Sequence, residues 1–346
     1  MKKMLLILAL LLLPFTAGAV ELDMQEYLFG HVGDSYGWHI TTINEKPVMF
    51  NLPVIVHSKT TGWHVFSSKH ICEGETYEGF RIAKTGEPHE GKLVEITPSG
   101  ELVKPLDISI TKNVFGLFFN SIIVALIILI AASWYKKHDG TQEAPKGFAG
   151  VIEMLVTMIE DDIIKGCVGK DYKRYTPFLL TIFFFIFINN LLGIIPFFPF
   201  GANLTGNIAV TMVLALSTFI AVNVFGNKHY WKDILWPDVP VFMKAPIPLM
   251  PAIEIVGMFT KPFSLMVRLF ANILAGHCMI LGVVAVVFMT AEMGAAMNAG
   301  LSIVAVFFGV FMDCLELLVA FLQAYVFTML SAVFIGLSRQ EEARAK

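Results

Sequence analysis

KPFSLMVRLFANILAGH, residues 261–277, lies in the middle of an apolar run from about Ile247 to Thr290. A second run, from about Met297 to Ser338, is equally long and apolar. As helix at 1.5 Å per residue, each would measure roughly 60 Å, about twice the hydrocarbon core of a bilayer. No cap or turn cluster divides either run into two spans. The pair therefore reads as a hairpin of two long helices lying far from the membrane normal. Its turn is expected at EMGAAMNAG, around Gly294 to Gly300. Inside the first run sits Arg268, whose guanidinium stays charged and costs about 2.5–3.5 kcal/mol at mid-bilayer. A charge that expensive is a candidate functional site.

The 346 residues are 56% hydrophobic and 15% charged, against roughly 25% charged in soluble domains. This is the composition of an integral membrane protein. The net charge of −3 and the lack of a basic cluster exclude a nucleic-acid partner. Cys72, Cys167, Cys278 and Cys314 are scattered without CxxC spacing, which supports neither a metal site nor a disulfide framework.

Residues 1–19 read as a signal peptide: Lys2 and Lys3, a short apolar core, then Ala17-Gly18-Ala19 before Val20. The alternative, a retained first helix, suffers from a run short for spanning. Residues 20–112 form a small β-rich periplasmic extension, with acids in excess and strand-like runs PVMFNLPVIVHS and GKLVEIT. It holds His31, His39, His57, His64, His70 and His89. Their spacing matches no ligand pattern, so solvated or strand-facing histidines are expected.

Membrane spans follow at Val114–Tyr135, Pro177 to about Phe197, and Asn207 to about Phe225. Between the first two, GFAGVIEMLVTMIEDDIIKG repeats apolar residues (Phe148, Ile152, Leu155, Ile159, Ile163) at helical spacing. Its acids Glu153, Glu160, Asp161 and Asp162 make it an amphipathic interfacial helix. Lys136 and Lys137, then Lys228, Lys232 and Lys244, then Arg339, Arg344 and Lys346 mark cytoplasmic ends. The fold expected is an all-α polytopic membrane protein with five membrane-embedded helices in the mature chain. The C-terminus is expected in the cytoplasm of a bacterial inner membrane.

In the hairpin, Glu254, Lys261, Ser264, Arg268 and Asn272 share one helical stripe. On the second helix Glu316 and Gln323 share a face, with Asp313 to one side. An antiparallel register sets Arg268 level with Gln323 and His277 level with Glu316, both implying a turn near residue 296. Such polar residues can simply fix helix packing. A His–Glu pair can also pass protons, and an arginine with only neutral neighbours points to an anionic partner on another chain.

SLMVRLFANILAGH, FLQAYVFTMLSAVFIG, Lys261-Pro262 and NNLLGIIP (189–196) occur in the order of one family. They resemble subunit a of the rotary F-type ATP synthases, over about residue 113 to the C-terminus. The extension, with HVGDSYGWHI near its start, resembles versions from Bacteroidetes-type bacteria. The resemblance implies a non-catalytic, cofactor-free proton-channel subunit. Its partners would be the c-subunit ring, the b-subunit peripheral stalk and the rest of the ATP synthase complex, in the lipid bilayer. Arg268 would face the ring and separate two half-channels, with Asn272 and Gln323 as its polar neighbours. Glu254 would line the cytoplasmic exit, and His277, Glu316 and Asp313 the entry. His277 and Glu316 stand exchanged relative to members that carry an acid and a histidine at these places, and Gly257 replaces a polar residue of some relatives. No GxxxxGK[ST] loop is present, so ATP is not bound by this chain. A secondary transporter would be expected to show internal repeats and broken helices, which are not visible. A membrane-anchored sensor or assembly protein would leave the buried Arg, His and Glu unexplained.

Overall fold

The structure, a computed structural model, describes residues 33–43, 46–72, 75–84, 86–97, 100–138, 143–195, 199–236, 249–289 and 295–339. The expected signal peptide, His31 and the C-terminal Arg344 and Lys346 lie outside them.

The extension folds as three small antiparallel sheets. Strands β1 (Gly37–Ile43) and β2 (Lys46–Asn51) pair with each other; β3 (Pro53–Ser58) lies between β4 (Gly62–Ser67) and β8 (Leu106–Asp107). The third sheet joins β5 (Phe80–Ile82), β6 (Leu93–Ile96) and β7 (Leu102–Val103). Alternation in β3 buries Val54 and Val56, which join Tyr36, Phe66, Ile71, Phe80 and Leu93 in a small core. The Tyr36 hydroxyl donates to Asp107 (2.5 Å) and accepts from the Leu93 amide (3.2 Å), tying the last two sheets together. Burial and the Asp107 carboxylate push its phenol pKa well above the ordinary value. His64 bonds Glu78 at 2.7 Å, and His70 stacks on Tyr77. Among the described residues no histidine belongs to a metal-binding group.

Helix α1 (Lys112–Tyr135) starts at a Thr111 cap. Phe118, Ile122, Leu126 and Leu129 are exposed along it, as on a lipid-facing helix. Helix α2 (Phe148–Met158) runs into a π-helical turn (Ile159–Ile164) and a last turn (Lys165–Val168). Ile152, Ile159, Ile163 and Ile164 are buried while Asp161 and Asp162 face out. Gly169, at φ 74°, ends the run. Helix α3 (Tyr172–Ile194) begins a turn before the expected Pro177, which the helix accommodates internally. Helix α4 (Ile208–Val224) is capped by Asn207, and a bend of 100° leads to α5 (Lys228–Leu235), in a link read from sequence only as cytoplasmic.

The two long runs are single helices, α6 (Leu249–Met289, 41 residues) and α7 (Ala295–Arg339, 45 residues). One expectation needs correction. Residues 295–300, placed in the turn, are helical; only 290–294 separate the helices, and these lie outside the described residues. Ala295, Ala296, Met297 and Ala299 are strong helix formers, and they outweigh Asn298 and Gly300.

The core centres on α3 against α7, with Phe183 and Phe187 each edge-on to Phe321. Small residues on α7 (Ala320, Ala324, Ser331, Ala332, Gly336) let neighbours close in. The chain alternates direction. Arg339 at the end of α7 meets Asp171 before α3, and Asn227 after α4 (2.8 Å). At the opposite end, the extension, the start of α1 and the α3–α4 loop come together.

Candidate functional site

Near the extension end of the hairpin, His277 Nδ1 lies 3.3 Å from Glu316 Oε1. Glu316 is only 7% exposed, so its charge has little water of its own and depends on what surrounds it. Gly276 leaves the room: an added Cβ there would stand 3.3 Å from that carboxylate oxygen. Both side chains line a small cleft with Asn189, Asn190, Asn203 and Thr205.

The cleft is held by hydrogen bonds between elements. Thr205 donates to Asn190 Oδ1 (2.6 Å), Asn190 to the Ala320 carbonyl (3.3 Å), and Asn120 of α1 to Asn189 (3.0 Å). Asn203 Oδ1 accepts the Gly206 amide, and a Cβ at 206 would lie 2.2 Å from Asn203 Nδ2, so a larger residue there would displace the Asn203 side chain. Glu316 Oε2, Asn203 Nδ2 and Asn120 Oδ1 find no partner among the described residues. Such a polar-walled space is the setting in which water bridges buried groups.

The other candidates lie elsewhere on the hairpin. Gln323 is buried and accepts a hydrogen bond from Asn272 at 2.9 Å. That differs from the expected level with Arg268 by one turn of α6. Long helices packed at an angle do not hold one register along their length. Arg268 is exposed on α6, with no hydrogen bond or ion pair among the described residues; of the residues on its stripe, Lys261 lies over Phe334 and Asn272 bonds Gln323. Asp313 is exposed one turn from Glu316 and does not line the cleft. Glu254 is half-buried, far along α6, within electrostatic reach of Tyr230. A second small cleft lies at that end between Asn223, Tyr230, Met258, Lys261 and Pro262. Pro262 removes an N–H inside α6, freeing the Met258 carbonyl beside this cleft.

Sequence reasoning missed the asparagine lining. Single asparagines in apolar helices read as packing residues; the usable signal was the adjacent pair Asn189-Asn190 at the end of a span, followed by Asn203 and Thr205.

The family model for the ATP synthase A chain matches residues 118–336, most of the chain. The chain belongs to the ATP synthase A chain family. It is 40% identical over 267 residues to an ATP synthase subunit a of Chlorobium phaeobacteroides, covering 74% of each. It is 42% identical over 281 residues to one of Chlorobaculum tepidum, covering 78% of this chain and 71% of that one. The subunit a of Myxococcus xanthus is 41% identical over 240 residues, 67% of this chain and 74% of the relative. Residues 27–111 match a separate model, described as a domain of unknown function. Within the A chain family, then, this member is a multi-pass membrane protein with a β-rich N-terminal extension.

Proposed function

We propose that this chain is the proton-conducting stator of an F-type ATP synthase, non-catalytic by itself, with two offset half-channels against a c-subunit ring. Its partners are that ring, a b-subunit peripheral stalk and the rest of the complex, in a bacterial inner membrane. Residues 1–19 act as a signal peptide, 20–112 as a periplasmic extension and 113–346 as the membrane domain.

Protons enter from the extension side through the asparagine-lined cleft and reach the His277–Glu316 pair, with Asp313 beside it. They neutralise a carboxylate on the rotor, which then crosses lipid without the cost of a buried charge. The exit path runs past Glu254 and the second cleft at the other end of α6. Arg268 stands between the two paths, positioned by the Asn272–Gln323 level next to it. As a permanent cation it attracts the ionised rotor carboxylate and repels a proton on a direct route. Each charge moved across the membrane gains about 2.3 kcal/mol per 100 mV, which the complex couples to ATP synthesis.

One observation carries this reading. An arginine with no acidic partner among the described residues faces outward from a greasy helix, while His277 and the buried Glu316, about two turns away, line a polar cleft. Arg268→Ala or Arg268→Gln is expected to abolish ATP-driven proton pumping in inverted vesicles. Coupled pumping that survives in an assembled complex would overturn the barrier role.

A further inference from the structure

The extension is packed directly onto the loop that forms one wall of the cleft. Trp38 of β1 is 6% exposed and clusters with Ala202 and Leu204 of the α3–α4 loop. These two residues flank Asn203, and Leu204 precedes Thr205; all four line the cleft, so Trp38 packs on the very stretch that forms its wall. An aromatic series runs alongside: Trp38 edge-on to Phe115 (6.1 Å), Phe115 stacked on Phe119 (6.2 Å), and Phe119 against Phe200 of the same loop (5.8 Å). The extension also grips the start of α1. The Lys112 amide donates to the Ser35 carbonyl (2.8 Å) and the Asn113 amide to Asp34 (3.0 Å). Gly116 completes the fit, because a Cβ there would stand 2.7 Å from that of Ala202.

We propose that the extension is a clamp on the cleft, with Trp38 as a positioning residue for the α3–α4 loop. It holds Ala202 and Leu204 down so that Asn203 and Thr205 present their polar atoms beside His277 and Glu316. This rests on the reading of the cleft as the proton entry. The physical case is one of rigidity. A connecting loop is the most mobile kind of element, and an aqueous path needs its polar groups held in place. This loop is anchored by the hydrogen bonds of Asn203 and Thr205 and by the aromatic cluster on Ala202 and Leu204.

The test uses the assembled complex in vesicles, with the four native cysteines replaced and Thr205→Cys introduced. Two quantities are read: labelling of that cysteine by a membrane-impermeant thiol reagent, and passive proton flux under an imposed potential. Trp38→Ala is expected to change the labelling rate and to lower flux about tenfold, since small misplacements of positioning groups can cost up to a hundredfold. Trp38→Phe, which keeps an aromatic wedge, is expected to restore most of both. Leu204→Ala should reproduce the Trp38→Ala phenotype, and the combination should be no worse than either alone, as for two sides of one contact. Native labelling and flux in assembled Trp38→Ala would overturn the clamp. Should that variant fail to assemble, Trp38→Leu and Leu204→Ala carry the same two readings. A His277→Ala/Glu316→Gln control separates the two ideas. Normal flux there refutes the cleft as a proton path even if Trp38 still governs labelling. Lost flux there, with Trp38 variants behaving as native, refutes the clamp alone.

Discussion

Gly276 sets how closely α6 can approach the Glu316 carboxylate, and a single methyl group tests that. In Gly276→Ala the new Cβ meets Oε1 at 3.3 Å, so the carboxylate must give way and its meeting with His277 loosens. Proton-pumping rate is expected to fall about tenfold, within what small shifts of positioned groups cost. Gly282→Ala and Gly309→Ala, with nothing within 4 Å of the added Cβ, are the matched controls and should pump normally. In the extension, Arg81 clasps Glu87 through two bonds of 2.7 and 2.8 Å. That hydrogen-bonded guanidinium, with the Lys84 amide, holds the Glu87 carboxyl down to about 2. A lowered carboxyl pKa stabilises the fold above the unfolded value, 4.5, and the contribution fades as pH falls from there toward about 2. Carboxyl NMR of the solubilised chain should find Glu87 titrating near 2, and Arg81→Met should return it toward the ordinary glutamate range. An unchanged midpoint in Arg81→Met would remove the cause assigned here.

At the scale of elements, the contact between α7 and the end of the α2 run is closer than any side chain allows. A Cβ at Gly336 would fall 2.0 Å from the Cys167 carbonyl oxygen, so the two backbones touch. Gly336→Ala should cost about 1–3 kcal/mol of overpacking, seen as a lower melting temperature and poorer assembly of the purified complex. These elements were legible to different degrees, for physical reasons. The spans and the two long helices follow from apolar length, because lipid leaves the backbone no other way to pair its polar groups. The strand-like run PVMFNLPVIVHS is strand, a local signal, but it divides at Leu52 into β2 and β3 of different sheets, which the run itself does not announce. Helix ends were less readable. Pro177 and the Ala295–Gly300 stretch look like boundaries, yet tertiary packing and alanine propensity carry helix through both. The cleft was half legible: titratable His277 and Glu316 stand out in apolar helices, whereas the asparagines gain meaning only when three elements converge. The Gln323 register slipped by a turn because sequence gives helix order without crossing angle.

For the whole molecule, the uneven burial of the hairpin fits the proposed placement of the rotor against it. In the most apolar stretches of α6 and α7 only 11% of residues are buried, against 44% for the stretch containing α3. Lipid can cover such a face where it is wholly apolar. It cannot cheaply cover the exposed Arg268. An exposed arginine on such a face therefore needs a protein surface that brings a negative charge, which the proposed rotor supplies. Cysteines placed along α6 convert that argument into a map. With the native cysteines replaced, Ser264→Cys and Ala271→Cys, both on exposed positions, are expected to cross-link to rotor subunits carrying a cysteine near their carboxylate. Leu265→Cys and Leu269→Cys, buried toward this chain's own core, should not. Cross-links confined to the buried pair, or absent from all four in an active complex, would mean that α6 turns a different face to the ring. The outward arginine would then need another partner.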